Sequence, residues 1–393
     1  MPSRTNAVLA AGDRPVKIIG FGDSITGVYY HSGGRRAWTE MLGLALQRVY
    51  PQAKITTINA GVSGGNTATG LARMDKDVLA HQPDLVVIMF GMNDVVANTP
   101  EAYEANLRTM VAKCRAINAE VVLCTPNWIT EDNGSRQLGK LAAYAEIVRK
   151  VATELALPLT DCFSIYEAVA MLDLRQYAVL MSDGIHPNMR GHKLFAESMA
   201  ETITGQKVSL AEVGPLPGLP HVSAKLKANQ PLRVVAMPPY DELVGPALKA
   251  LYPEARLEIV KWETAGQTVA QIEAQAKAQG WMGMRDHPEL PKPDLVVFAV
   301  PPAATAPDFA RFYRSYTWVL NWSLSFGVAQ WDAIVVLPEV AQPQLTAEEQ
   351  ERAAWALEVA TGQDLPYLVR PKGSQAGAAE LLGDWLRGQL AER

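Results

Sequence analysis

The chain has 393 residues, 48% of them hydrophobic and 20% charged, with a net charge of −5. This is ordinary globular composition for two or three domains. It excludes the clustered basic footprint of a nucleic-acid binder, and no apolar run is long enough to span a membrane, so neither partner is expected.

Cys114, Cys124 and Cys162 lack Cys-x-x-Cys spacing and read as buried small hydrophobes. Residues 1–15 have too weak an apolar core for a signal peptide. The chain therefore reads as cytoplasmic, although a secreted or periplasmic protein whose signal had been removed would read the same.

In chain order, the apolar run Val16–Gly20 reads as a buried parallel strand leading into Phe21-Gly22-Asp23-Ser24. An amphipathic helix follows from Trp38 to Val49, stopped by Tyr50-Pro51. Ile55–Ile58 is a second strand, ending in the Gly-rich loop 59–67, and a helix runs over 69–79. Leu85–Phe90 is a third strand, running into Gly91-Met92-Asn93-Asp94. Pro100 opens a helix to 117, and Val121–Cys124 is a fourth strand ending at Pro126-Asn127-Trp128. A loop with Glu131-Asp132-Asn133-Gly134 precedes a helix over 138–155. A short fifth strand, 157–161, and the loop Ser182–Pro187 lead to a last helix, 190–202. Strand–helix alternation at this spacing predicts a doubly wound, mostly parallel α/β sheet. Its carboxyl edge, where such sheets bind ligands, gathers Ser24, Gly64 and Asn93.

Gly22-Asp23-Ser24, Gly64, Gly91-Met92-Asn93-Asp94 and Asp183-Gly184-Ile185-His186, in this order, resemble the four blocks of the SGNH, or GDSL-type, hydrolases, which have a flavodoxin-like fold. The resemblance covers about the first 205 residues. It implies Ser24 as nucleophile, His186 as general base and Asp183 as the residue that orients the imidazole. It implies an oxyanion hole from the backbone N–H groups of Ser24 and Gly64 and the Asn93 amide. No metal or organic cofactor is implied. Gly61 and Gly65 compete with Gly64, and spacing to Asn59 selects Gly64. Asp23 and Asp94 read as structural. His31, His81 and His192 lack a carboxylate at the family's spacing and read as surface or capping residues. Trp38 reads as core. Trp128 follows a strand end and is a candidate substrate-binding residue, with packing as the alternative.

Residues 206–230 are rich in proline and small polar residues and read as a linker. The pattern then restarts. Leu232–Met237, Leu251-Tyr252-Pro253, Gly266-Gln267-Thr268, Lys292-Pro293-Asp294 and Ala333–Pro338 parallel segments of the first half in order, which points to an internal duplication. The chemistry does not repeat. Pro238-Pro239-Tyr240 and Pro301-Pro302-Ala303 replace the first and third blocks, and no histidine follows His287. Residues 1–205 are thus expected as a catalytic domain and 231–393 as a degenerate, non-catalytic copy that shapes the cleft or mediates association, homo-oligomerisation included. The aromatic-rich stretch Phe309–Trp331 reads as packing rather than a sugar platform.

The expected activity is that of a serine ester hydrolase acting on a small-molecule or carbohydrate ester, with a short acyl group, acetyl foremost, favoured. The polar stretches 31–36 and 130–136 suit a polar ligand. A non-catalytic binding protein and an acyltransferase, lysophospholipase or thioesterase are the alternatives.

Overall fold

The computed structural model describes residues 3–130 and 133–391; Glu131 and Asp132 of the acidic loop lie outside them. The chain forms two compact units, Met1–Val28 with Arg36–Val213, and Tyr29–Arg35 with Gly214–Arg393.

The first unit is built on β1 (Pro15–Gly22), β2 (Lys54–Gly61), β3 (Leu85–Met89), β4 (Glu120–Cys124) and β5 (Leu159–Thr160), all parallel, in the order β2-β1-β3-β4-β5. Every side chain of β3 is buried, and β1 is buried from Ile18 onward, because helices cover both faces. Helices Trp38–Val49 and Pro100–Ala116 lie where the periodicity places them. Helices Cys162–Leu172 and Leu174–Ala178 were not anticipated; Asp161 caps the first through the Ser164 N–H, and Asp173 caps the second through the Arg175 N–H.

Register sets the level of the loops. Gly22 pairs with Gly61 of β2 and with Met89 of β3, so the chain leaves three adjacent strands at one height on the carboxyl edge. Gly22 is required there: a Cβ would lie 2.1 Å from Thr26 Oγ1 and 2.3 Å from the Met89 carbonyl oxygen.

The second unit repeats the plan with β6 (Leu232–Ala236), β7 (Leu257–Lys261), β8 (Leu295–Phe298), β9 (Asp332–Val336) and β10 (Tyr367–Leu368), parallel in the order β10-β9-β8-β6-β7. A hydrogen-bonding device at the amino edge also recurs. Asp84 accepts the backbone N–H of Lys17 at 2.9 Å, and Asp294 that of Arg233 at 2.8 Å. Glu120 accepts the N–H of Thr5 at 2.6 Å, near the start of helix Ser3–Ala11. Asp332 accepts that of Val222 at 2.9 Å, near the start of helix Pro220–Lys227.

Two expectations change. The stretch expected as a linker contains helix Pro220–Lys227, whose His221 and Lys225 both bind Asp294 at 2.8 Å. Residues 31–36 do not form a solvated polar loop. Tyr30, His31 and Ser32 are buried, Tyr30 stacks on Trp281 at 5.7 Å, and Arg35 donates to the Leu216 carbonyl at 2.7 Å, all within the second unit. In helix Phe309–Ser323, Phe312, Tyr313, Tyr316 and Trp322 are buried, which is a packing role.

Candidate active site

Ser24 follows β1 in the tight turn Asp23–Gly27, closed by the Gly27 N–H donating to the Asp23 carbonyl at 3.0 Å. Its Oγ lies 2.8 Å from His186 Nε2, and His186 Nδ1 lies 2.8 Å from Asp183 Oδ2. Residues 162 positions apart thus make one hydrogen-bonded line.

Asp183 is shaped for this task. Its Oδ1 accepts the backbone N–H groups of Ile185 and His186, each at 2.8 Å, so the loop orients the carboxylate independently of the imidazole. Burial opposes its charge, yet the imidazole and the two N–H donors hold its pKa well below the usual carboxylate range. Burial also works against a charged His186, but Asp183 outweighs it and the pKa lies above the ordinary 6.5. Nδ1–H donation to Asp183 leaves Nε2 to accept the Ser24 proton.

Gly64 has φ of +72° and nothing within 4 Å of a Cβ position, whereas a Cβ on Gly61 would lie 2.1 Å from the Gly27 nitrogen. Gly64 is therefore the glycine of this loop with open space beside it. Asn93 is turned by its partners: Nδ2 donates to the Gly65 carbonyl at 2.8 Å, and Oδ1 accepts from Arg136 Nη2 at 2.7 Å. One Nδ2 hydrogen is thereby used, and the amide has a second.

Asp94 accepts the Thr67 N–H at 3.0 Å, its hydroxyl at 2.5 Å and the Asn98 amide at 2.6 Å, tying the second and third loops together. Asp23 Oδ1 accepts the Ile25 N–H at 2.9 Å, and burial pushes its pKa up to about 7. These bonds run to the loops beside the site.

Two expectations are corrected and a third holds in part. His31 is buried, not on the surface. His192 is also buried, but the capping role holds: its Nδ1 accepts the Trp38 N–H at 3.1 Å at the start of helix Trp38–Val49. Burial lowers the His192 pKa to about 3, so it stays neutral. Trp128 is an interior residue, packed at a right angle to Tyr177 with ring centres 5.0 Å apart, and its carbonyl accepts the Tyr177 hydroxyl. The strand that precedes it is wholly interior at its carboxyl end, which carries Trp128 into the core rather than to an open stacking position. Arg136 and Asn133, at the base of the site, were not singled out for catalysis: Asn133 donates to the Gly184 carbonyl, between Asp183 and His186.

A serine at a strand end, hydrogen-bonded to an imidazole–carboxylate pair, on the carboxyl edge of a doubly wound sheet is the arrangement of a serine hydrolase site. The chain belongs to the GDSL-like Lipase/Acylhydrolase family, which matches residues 21–194, and is a carboxylic ester hydrolase of the SGNH type. An acetylxylan esterase of Geobacillus stearothermophilus is 30% identical over 169 residues, 40% of this chain and 76% of that one. Thioesterase 1/protease 1/lysophospholipase L1 of Escherichia coli K12 is 30% identical over 183 residues, 46% of this chain and 80% of that one. An arylesterase of Vibrio mimicus is 28% identical over 195 residues, 49% and 91%. A solved structure of an acetylxylan esterase from Geobacillus stearothermophilus shares 27% identity over 50% of this chain and 97% of that one, with a TM-score of 0.43.

Proposed function

We propose that the first unit hydrolyses carboxylic esters through an acyl-enzyme on Ser24, removing short acyl groups, acetyl foremost, from a carbohydrate or another polar alcohol. The observation that carries this reading is the Ser24–His186–Asp183 line, with both hydrogen bonds at 2.8 Å.

Ser24 Oγ attacks the ester carbonyl carbon as its proton passes to His186 Nε2. The resulting imidazolium is stabilised by Asp183, which is already charged. Negative charge on the former carbonyl oxygen is met by the N–H groups of Ser24 and Gly64 and by the second Nδ2 hydrogen of Asn93. His186 returns the proton to the departing alkoxide, and the alcohol leaves. Water then attacks the acyl carbon, gives its proton to Nε2, and Ser24 is regenerated with release of the acid.

The acetylxylan esterase relative supports an acetyl group on a polar alcohol. The relative named for thioesterase and lysophospholipase activities, also 30% identical, supports acyl groups beyond acetyl as the second reading. The second unit serves as a degenerate copy. The repeated strand order and the repeated Asp84/Asp294 and Glu120/Asp332 bonds support duplication, while Tyr240 stands after β6 where Ser24 stands after β1.

The test is turnover of p-nitrophenyl acetate, butyrate and octanoate by the native chain and by Ser24→Ala, with a fluorophosphonate label read by mass spectrometry. Acetate preferred, the variant inactive and the label on Ser24 is the expected result. A variant as active as the native chain overturns the assignment of Ser24, and octanoate preferred overturns the short-acyl reading.

A further inference from the structure

The short turn Asn133–Arg136 touches both halves of the chemistry. It is closed by the Arg136 N–H donating to the Asn133 carbonyl at 3.1 Å. From one end, the Asn133 amide donates to the Gly184 carbonyl; a Cβ on Gly184 would stand 2.7 Å from Asn133 Nδ2, so glycine permits this approach. From the other end, Arg136 Nε donates to the Met92 carbonyl at 3.0 Å and Nη2 donates to Asn93 Oδ1 at 2.7 Å.

We propose that Arg136 is a positioning residue for ester hydrolysis, acting through Asn93. This rests on the reading of Asn93 as an oxyanion donor. An asparagine amide can be turned either way about its last torsion, and its two ends are opposite in hydrogen-bonding sense. A guanidinium has donors only, so the end of Asn93 that faces Arg136 must be the oxygen. The Gly65 carbonyl accepts only, so the end that faces it must be the nitrogen. The two partners agree, and together they leave the second N–H of Asn93 to serve as the donor that reading requires. The bond to Arg136 is charge-assisted, and drawing electron density toward Oδ1 makes the N–H groups of the same amide stronger donors. The second Arg136 bond, to the Met92 carbonyl, fixes the backbone next to Asn93, so amide and main chain are held by one rigid fork.

Arg136 also has an electrostatic consequence. The charged and titratable groups around His186 are Asp183 on its own loop, Asp23 beside Ser24, Arg136 on the turn and His192 on the following helix. The two carboxylates favour the imidazolium and Arg136 opposes it. Removing the guanidinium therefore moves the acid limb of the kcat/KM profile to higher pH, and Arg136→Lys, which keeps the charge at that place, leaves the limb where it is in the native chain.

The experiment is a double-mutant cycle on p-nitrophenyl acetate with Arg136→Met, Arg136→Lys, Asn93→Ala and Asn93→Ala with Arg136→Met, each checked by thermal melting. Arg136→Met is expected to lower kcat by about tenfold to a hundredfold, as for a catalytic group displaced by a fraction of an ångström to 1 Å, with KM nearly unchanged. Arg136→Lys, which keeps the charge but not the fork, is expected to recover part of kcat and the native acid limb. In the Asn93→Ala background, Arg136→Met is expected to cost almost nothing further. An equal cost of Arg136→Met in both backgrounds overturns the proposal while leaving Asn93 as donor. Native-like activity of Asn93→Ala alone overturns the oxyanion reading beneath it.

Discussion

Asp183 meets His186 twice, once through Oδ2 at 2.8 Å from the imidazole Nδ1 and once through Oδ1 at 2.8 Å from the backbone nitrogen. The three-residue spacing makes this possible, since a loop that returns on itself over three residues can offer side chain and main chain to one carboxylate. The acid is thus set by the residue it serves.

The pH dependence follows from that pair. His186 must be neutral to accept the Ser24 proton, and its pKa is raised above 6.5, chiefly by Asp183 against the effect of burial. Activity is therefore expected to rise with pH through a midpoint above 6.5 and to fall on acidification. In Asp183→Asn the raising charge is gone, so the acid limb moves to lower pH while kcat falls by roughly 10⁴, as in the serine-triad template. A kcat/KM profile on p-nitrophenyl acetate checks both. An unchanged limb shows that Asp183 does not set the imidazole.

Asp23 carries a stability prediction of opposite character. Its folded pKa of about 7 lies above the ordinary carboxylate value because burial penalises the charge. Between the ordinary value and about pH 7 the folded state binds more protons than the unfolded state, so this group makes stability fall as pH rises. Asp23→Asn keeps an oxygen for the Ile25 N–H and removes the titration. Relative to the native chain, the variant is expected to gain on the order of 3 kcal/mol between pH 5 and pH 8. Urea unfolding at the two pH values measures the difference, and a parallel response of both proteins contradicts it.

What could be read in the sequence depended on how local each signal was. The strand ends with Ser24 and Asn93 and the Asp183–His186 spacing were legible because each sits within one short segment. The parallel, doubly wound sheet followed from strand–helix alternation, whereas the order of its strands did not. The stretch 130–136 was legible only as a polar loop suited to a ligand, and the tie of Arg136 to Asn93 was not: the two lie 43 positions apart, and a loop arginine has no periodicity to place it. His192 caps a helix, one of the two roles its type suggested, and its burial also had a signal, since it falls on the same helical stripe as Phe195, Met199 and Ile203, the buried face of Met189–Thr204. Tyr29–Arg35 was misplaced because its contacts, Trp281 and Phe326 among them, lie some 250 to 300 residues on.

The two glycines of the site region separate a steric from a torsional requirement. Gly22→Ala would place a methyl 2.3 Å from the Met89 carbonyl oxygen, on a strand in register with two neighbours that cannot move aside. It is expected to destabilise the first unit by about 3 kcal/mol or more, at the top of the range for overpacking. Gly64→Ala meets no atom but must hold φ near +72°. It is expected to cost only about 1–2 kcal/mol of stability. Thermal melts rank the pair, and equal losses contradict the distinction.

Tyr30 tests whether a segment six residues beyond Ser24 is a structural part of the second unit. Its ring stacks on Trp281 at 5.7 Å and contacts Trp318 at 6.2 Å and Phe326 at 5.9 Å, while its backbone N–H donates to the Phe326 carbonyl at 3.3 Å. Truncation removes a buried aromatic from an aromatic cluster and leaves a cavity. Tyr30→Ala is expected to destabilise the second unit by about 3–5 kcal/mol. Hydrogen exchange resolved by segment is the direct measurement. Faster exchange in helices Trp281–Asp286 and Phe309–Ser323, with β1 to β4 unchanged, is the expected pattern. Loss of protection confined to the first unit would show that Tyr30 belongs to the catalytic half after all.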